Sequence, residues 1–499
     1  MADPLSSPEE AIPALELVLE CARDYLADLT GPVRSPDADQ AAHSFPPSFP
    51  EEGEGALATV GRLLELGVHA HVRSSGPRFF HWVIGGTTPA ALAADWFTSL
   101  IDQNAGAWSS SPLAVRLEAI SLAWLQELFG LPAAWAGVLT TGATTANFTA
   151  LAAARQWWGQ EHGANVAAHG LVGLPAIPVL ASGYLHVSSL KALAMLGIGR
   201  EQVTYCEADR TGRLDLAGLE RELKRLQGAP AILIANAGEV NTGNFDPIQA
   251  MSDLAREHGA WLHVDGAFGL FARVSPRTAS LADGVERADS VIADGHKWLN
   301  VPFDCGFAFL REAALLTPVF SALATYSAED EIFAFRSPEF SRRARSLAVW
   351  ATLAAYGRSG YRAIVERCLD VAAHIAREVE VADDLELLAP APLNIVCFRY
   401  RPPGVPEEAL DRLNLDIGQA VLADGRVYVG TTRWAGQVGF RPAVVNWRTT
   451  SADADVMLEA VRDFGRRLAE PLRAQRRDAA AASCRSETET ARESMPSSR

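Results

Sequence analysis

Apolar residues recur at helical spacing over 8–29 (PEEAIPALELVLECARDYLADL), with acids gathered at the start as a helix N-terminus prefers, so the pattern predicts an amphipathic helix. Over 31–54 the period disappears and Pro, Ser and acids accumulate, which predicts an extended connector on the surface. Two more helices are expected at about 55–70 and 88–103. From about 135 onward the pattern changes. Short apolar runs at 136–140, 177–180, 231–234, 261–264 and 290–293 each fit a strand buried on both faces. Helical stretches, one over 145–157, lie between most of them, and that alternation implies a largely parallel α/β sheet. A further α/β region runs from about 366 to 470, with a strand expected over 393–398. The tail after 471 is small, polar and Ser/Ala-rich and is expected to be disordered.

A chain of 499 residues is too long for one simple core, so two or three packed units are expected. A net charge of −16 without a basic face argues against nucleic-acid binding. The six cysteines are scattered with no CxxC or metal-type spacing, which suits reduced thiols in the cytoplasm. His69 and His71 stand two apart without a supporting cluster of acids or cysteines, so no metal site is expected. The start has no basic segment followed by an apolar core, and no run reaches about 18 apolar residues; neither secretion nor a membrane span is expected.

Candidate chemistry begins with scarcity. The chain has three lysines, Lys191, Lys224 and Lys297, while Arg carries the rest of the basic charge. Lys297 stands in Asp294-Gly295-His296-Lys297-Trp298, where an arginine would have served a mere ion pair but could not lose its proton and attack a carbonyl. Upstream, His263-Val264-Asp265-Gly266-Ala267 closes an apolar strand-like run with an acid. An aldehyde cofactor with a ring nitrogen needs both a lysine for a Schiff base and a carboxylate for its pyridinium, which points to pyridoxal phosphate. The small residues of 139–147 lead from a strand into a helix, where backbone N–H groups could meet a phosphate; a Thr-Gly turn capping a helix reads the same way. His186 could stack on a pyridine ring or simply be satisfied by neighbouring serines. No dinucleotide fingerprint, P-loop, HExxH or GxSxG is present.

Taken in order, these residues resemble the group II pyridoxal-phosphate-dependent amino-acid decarboxylases, from about residue 8 to 470. The resemblance is carried by 77–80, Ser111-Pro112 with Glu118 and Trp124, the 139–147 turn, His186, 241–247, 263–267, 296–302, 341–345, and Arg441 with Asn446. It implies an α/β type I aminotransferase-like fold with a large, mostly parallel sheet domain and a small C-terminal α/β domain. In outline, 1–88 would be a helical segment packing on a homodimer partner, 89–365 the cofactor domain, 366–470 the small domain and 471–499 the tail. It further implies that Lys297 forms the Schiff base and returns protons, and that Asp265 holds the pyridine nitrogen protonated. His186 and Ala267 would flank the ring, and Ala143 and Thr144 with His296 would bind phosphate. Trp82 to Gly85 and the 104–111 stretch, Trp108 included, would shape the substrate pocket, the latter partly across a dimer interface. The expected reaction is decarboxylation of an L-amino acid, with an aromatic leaning drawn from Phe79, Phe80, Trp82 and Trp108.

Two departures from the family pattern stand out. Phe333 and Phe335 are placed where relatives carry a proton-donating loop tyrosine, with Tyr326 nearby, and Glu239-Val240 replace threonines that touch the cofactor. A phenyl ring cannot donate a proton, so oxidative deamination to an aldehyde stands as the first alternative. A non-catalytic, cofactor-binding subunit is the second.

Overall fold

The computed structural model describes residues 8–209, 211–321 and 333–493. Seven short strands form the large sheet: β1 (Ala136–Thr140), β2 (Val179–Ser182), β3 (Val203–Cys206), β4 (Ile232–Asn236), β5 (Trp261–Asp265), β6 (Ser290–Asp294) and β7 (Gly306–Leu310). Their order is β1-β7-β6-β5-β4-β2-β3. The pairs from β6 through β5, β4 and β2 to β3 are parallel, while β7 runs antiparallel to both β6 and β1. Helices cover both faces, so the central strands are buried throughout and their sequences are almost wholly apolar. The two strands absent from the sequence reading have physical reasons. Edge strand β3 exposes Thr204 and Tyr205 and so lacks an apolar run, and β7 follows β6 without an intervening helix.

The second sheet contains β8 (Leu385–Leu387), β9 (Phe398–Tyr400), β10 (Thr431–Trp434) and β11 (Gln437–Phe440), ordered β10-β11-β9-β8 and antiparallel throughout. The strand expected over 393–398 is thus displaced: β9 starts at Phe398, and Ile395 makes only an isolated bridge to Ala443. The segment Ser346–Glu380 is two helices meeting at Gly357, whose φ of 58° only glycine adopts freely. Its second half bonds to both units. Tyr361 Oη donates to the Leu299 carbonyl (3.0 Å) and Ser275 Oγ to Glu366 (2.8 Å), while Arg367 reaches the Trp447 carbonyl (2.7 Å). A division at 365/366 therefore cuts through a helix that serves both sheets.

Two other expectations need correction. The 31–54 connector is not extended throughout but contains the helix Ala38–His43. The tail is not devoid of structure either, because the terminal helix runs Ser451–Glu493 through Pro471. Its Ala, Arg and Glu content cannot build a core but favours helix strongly, and propensity decided the backbone. The N-terminal helices Ala11–Ala27 and Ala56–Ala70 form as expected, yet neither buries a single residue.

Candidate active site

Three strand ends build the site. β1, β5 and β6 point the same way, and their C-terminal ends open on one edge of the sheet, where α/β folds gather ligands. Past β1 the chain turns at Gly142 (φ 149°), which has no side chain of its own to cap the helix Ala143–Glu161. β1 itself is anchored by a buried, bidentate ion pair. Arg342 meets both Glu118 oxygens (2.8 and 3.0 Å) and the Leu139 carbonyl (2.7 Å), while Glu118 accepts the Leu139 N–H (3.0 Å). β5 ends in Asp265, and β6 ends in Asp294, from which a tight turn leads to Lys297.

A cavity of about 370 Å³ collects Ala143, Thr144, His186, Asp265, Ala267, His296 and Lys297. Lys297 Nζ lies 4.0 Å from Asp294 Oδ2 and 5.7 Å from the Phe268 ring centre. Asp265 Oδ2 accepts from Asn147 Nδ2 (2.9 Å) and Ser189 Oγ (3.3 Å), and Oδ1 from the Ala267 N–H (3.2 Å). Burial pushes its pKa up, but His186, the Asn147 hydrogen bond, Lys297 and His263 together outweigh burial and hold the carboxyl below its usual range. Burial pushes His186 down, against the opposing pull of Asp265. The His186 Nδ1 bonds Ser188 Oγ at 2.7 Å, which orients the ring at the helix start.

The set suits a phosphorylated aldehyde with a ring nitrogen. An uncapped helix N-terminus with threonine hydroxyls offers anion donors, an amine stands ready for the aldehyde and an ionised carboxylate for the nitrogen. The Ala143 N–H points to Asp294 Oδ2 (3.3 Å). His296 Nδ1 lies 2.8 Å from Asp294 Oδ1 but off the hydrogen-bonding angle, so both buried atoms remain without a hydrogen-bond partner beside the helix start.

Trp82, Gly85 and Trp108 do not line this cavity. Gly85 lies behind the lysine: its N–H donates to the His296 carbonyl (3.0 Å), and a Cβ there would stand 1.7 Å from the Lys297 carbonyl oxygen. Trp82 has a left-handed φ of 57°, its carbonyl accepts from Arg441, and its ring packs 4.4 Å from His81. Trp108 is half-exposed between two helices, and Phe79 and Phe80 belong to the core. Replacing Gly85 with alanine should therefore displace the lysine turn. We expect a loss of about 1–3 kcal/mol, read by denaturant unfolding, together with weaker cofactor binding by absorbance titration; wild-type values for both would contradict the contact.

Asn147, Ser189, Asp294 and Tyr184 were not singled out from sequence as site residues. Asn147 had a signal, since it follows Ala143 and Thr144 by four and three positions and so shares their helix face. Asp294 could have been found as the last residue of an apolar strand run.

A lysine and a carboxylate meeting at strand ends beside an uncapped helix define a pyridoxal-phosphate enzyme of fold type I. The pyridoxal-dependent decarboxylase conserved domain matches residues 39–401, and the chain belongs to that family. It is 33% identical to L-2,4-diaminobutyrate decarboxylase of Rhizobium meliloti (strain 1021) over 436 residues, 84% of either chain. With the aromatic-L-amino-acid decarboxylase of Bacillus atrophaeus it shares 28% over 428 residues, covering 84% of this chain and 87% of that one. Among solved structures, Oryza sativa TDC with PLP and tryptamine superposes with a TM-score of 0.86 at 24% identity, over 94% of this chain and all (100%) of the other. Mouse CSAD gives a TM-score of 0.85 at 24% identity, over 92% of this chain and 99% of the other. The protein is a pyridoxal-phosphate-dependent amino-acid decarboxylase, a carboxy-lyase.

Proposed function

We propose that Lys297 is the cofactor lysine, Asp265 the partner of the ring nitrogen and His186 the stacking residue, in an enzyme that converts an L-amino acid to its amine and carbon dioxide. The observation that carries this reading is the convergence of Lys297, Asp265 and the uncapped helix start on one cavity. When bound there, pyridoxal phosphate supplies the sink for the electron pair left at Cα. Asp265, ionised and held by three donors, keeps a proton on the ring nitrogen. His186 and Ala267 would flank the ring, and Thr144, the Ala143 N–H and His296 would hold the phosphate. Lys297 would hold the cofactor's aldehyde carbon and stands within the same cavity to move a proton at Cα.

The side-chain preference is open among aromatic, cationic and acidic substrates, because the relatives include decarboxylases of all three kinds. A screen of the loaded enzyme against amino acids, 2,4-diaminobutyrate included, with carbon dioxide and amine measured together, tests the reading. One amine formed in step with carbon dioxide is expected; aldehyde with peroxide instead would sink it.

Within one chain, Phe333 and Phe335 stand apart from the cavity. Phe333 is buried between Arg342 and Arg336, with ring-to-guanidinium distances of 5.6 and 5.8 Å, and neither phenylalanine lines the cavity. Tyr326 lies outside the described residues. A Phe333→Tyr enzyme should leave the amine-to-aldehyde ratio unchanged in a product assay, and a shift in that ratio would favour the proton-donor placement.

We further propose a cytoplasmic homodimer. Among the described residues no helix is long and apolar enough to cross a membrane, and Cys21, Cys206, Cys305, Cys368 and Cys397 are free thiols. The helices Ala11–Ala27 and Ala56–Ala70 expose Ile12, Leu15, Leu19, Leu57 and Leu63, an apolar surface suited to a second copy. Deleting 1–55 should give aggregated or inactive protein by size-exclusion chromatography; a soluble, active monomer would refute the dimer.

A further inference from the structure

Behind Asp265 runs a chain of buried polar groups that touches neither the cavity nor solvent. Asn147 Nδ2 donates to Asp265 Oδ2 (2.9 Å) and to Ser188 Oγ (3.2 Å), so its Oδ1 must face the other way, where it meets His263 Nε2 at 2.8 Å. The carboxylate fixes the amide orientation, because a flipped amide would set oxygen against oxygen. His263 Nε2 must then carry the proton. On its other side Nδ1 lies 2.9 Å from Ser290 Oγ, which itself accepts the Trp261 indole N–H at 3.1 Å. His263, Asn147 and Ser290 are all fully buried. A cationic imidazole is costly in such surroundings, and burial lowers the His263 pKa to about 4. In the neutral ring Nδ1 is an acceptor, so the Ser290 hydroxyl donates to it. Every donor thus points the same way: Trp261 to Ser290, Ser290 to His263, His263 to Asn147, Asn147 to Asp265.

We propose that His263 and Asn147 are positioning residues whose one-way hydrogen-bond chain fixes the direction and charge of the Asp265 carboxylate toward the cofactor's ring nitrogen, an inference that rests on Asp265 having that partner. The chain stabilises a negative Asp265 with neutral donors, since polarised donors in a low-dielectric interior reinforce one another. It engages Oδ2 and leaves Oδ1 to the Ala267 N–H.

The test compares two ligands on the apo-enzyme: pyridoxal phosphate, and its carbocyclic analogue with C–H in place of the ring nitrogen. His263→Phe removes the donor and keeps a ring, Asn147→Ala removes the link, and His263→Gln keeps a donor. By absorbance titration, His263→Phe and Asn147→Ala should weaken pyridoxal phosphate by about tenfold, the scale of one lost hydrogen bond to a charged group. Binding of the analogue should be unchanged, and His263→Gln should recover most of the loss. Equal weakening of both ligands, or no weakening in whichever of the two variants folds, would overturn the proposal. Asp265→Ala is the control. If it fails to narrow the difference between the two ligands, the assignment of Asp265 itself is wrong. If it narrows the difference while the His263 and Asn147 variants do not, the chain alone is refuted.

Discussion

Lys297→Ala protein should fold, remain colourless after incubation with pyridoxal phosphate and lose carbon dioxide release by on the order of 10⁴-fold or more, the scale of removing a covalent catalyst. No other lysine can stand in. Lys191 belongs to the helix Val187–Met195 and Lys224 to the helix Leu216–Arg225, where it pairs with Glu220 at 2.5 Å on the exposed surface. Neither lines the cavity. Borohydride treatment followed by peptide mapping gives the decisive readout: wild type should be labelled at Lys297 alone and the variant nowhere. A defined label at another lysine in the variant would overthrow the assignment.

Asp265→Ala should cost on the order of 100-fold or more in kcat, as loss of a preorganised electrostatic stabiliser does, with KM changed much less. The reason lies in the carboxylate's surroundings. Three donors and the nearby His186 and Lys297 keep it ionised despite full burial, so the negative charge is ready before any ligand arrives. Removing it leaves Asn147, Ser189 and the Ala267 N–H directed at an apolar methyl, a loss that circular dichroism and thermal unfolding should register as modest. Near-normal turnover in a folded variant would contradict the pyridinium role.

The site was legible wherever chemistry restricts the residue type. Lysine is rare in this chain, and an acid closing a buried strand is costly unless it is used, so Lys297 and Asp265 could be read from sequence. The central strands were legible because burial on both faces leaves an unbroken apolar run. What stayed hidden depends on contacts between distant segments. Nothing local to Gly85 tells that it touches the Lys297 carbonyl. The short strands β8, β10 and β11 were missed for a related reason, since antiparallel pairs of three or four residues carry too few positions to show a period. The stretch of the terminal helix beyond Pro471 shows the converse: a sequence poor in large apolar residues can still satisfy its own backbone.

The stretch from Gly357 to Glu380 has a thermodynamic consequence. Its Ile364, Val365, Cys368, Leu369 and Ile375 are buried, and the same two-dozen-residue rod hydrogen-bonds to the turn after Lys297 and to the Trp447 carbonyl beyond the second sheet. Neither sheet can lose its packing without stripping a face from this rod, and a helix in a protein takes most of its stability from that packed face. Heat should thus be absorbed in one peak, with loss of the smaller sheet and release of the lysine turn as a single cooperative event.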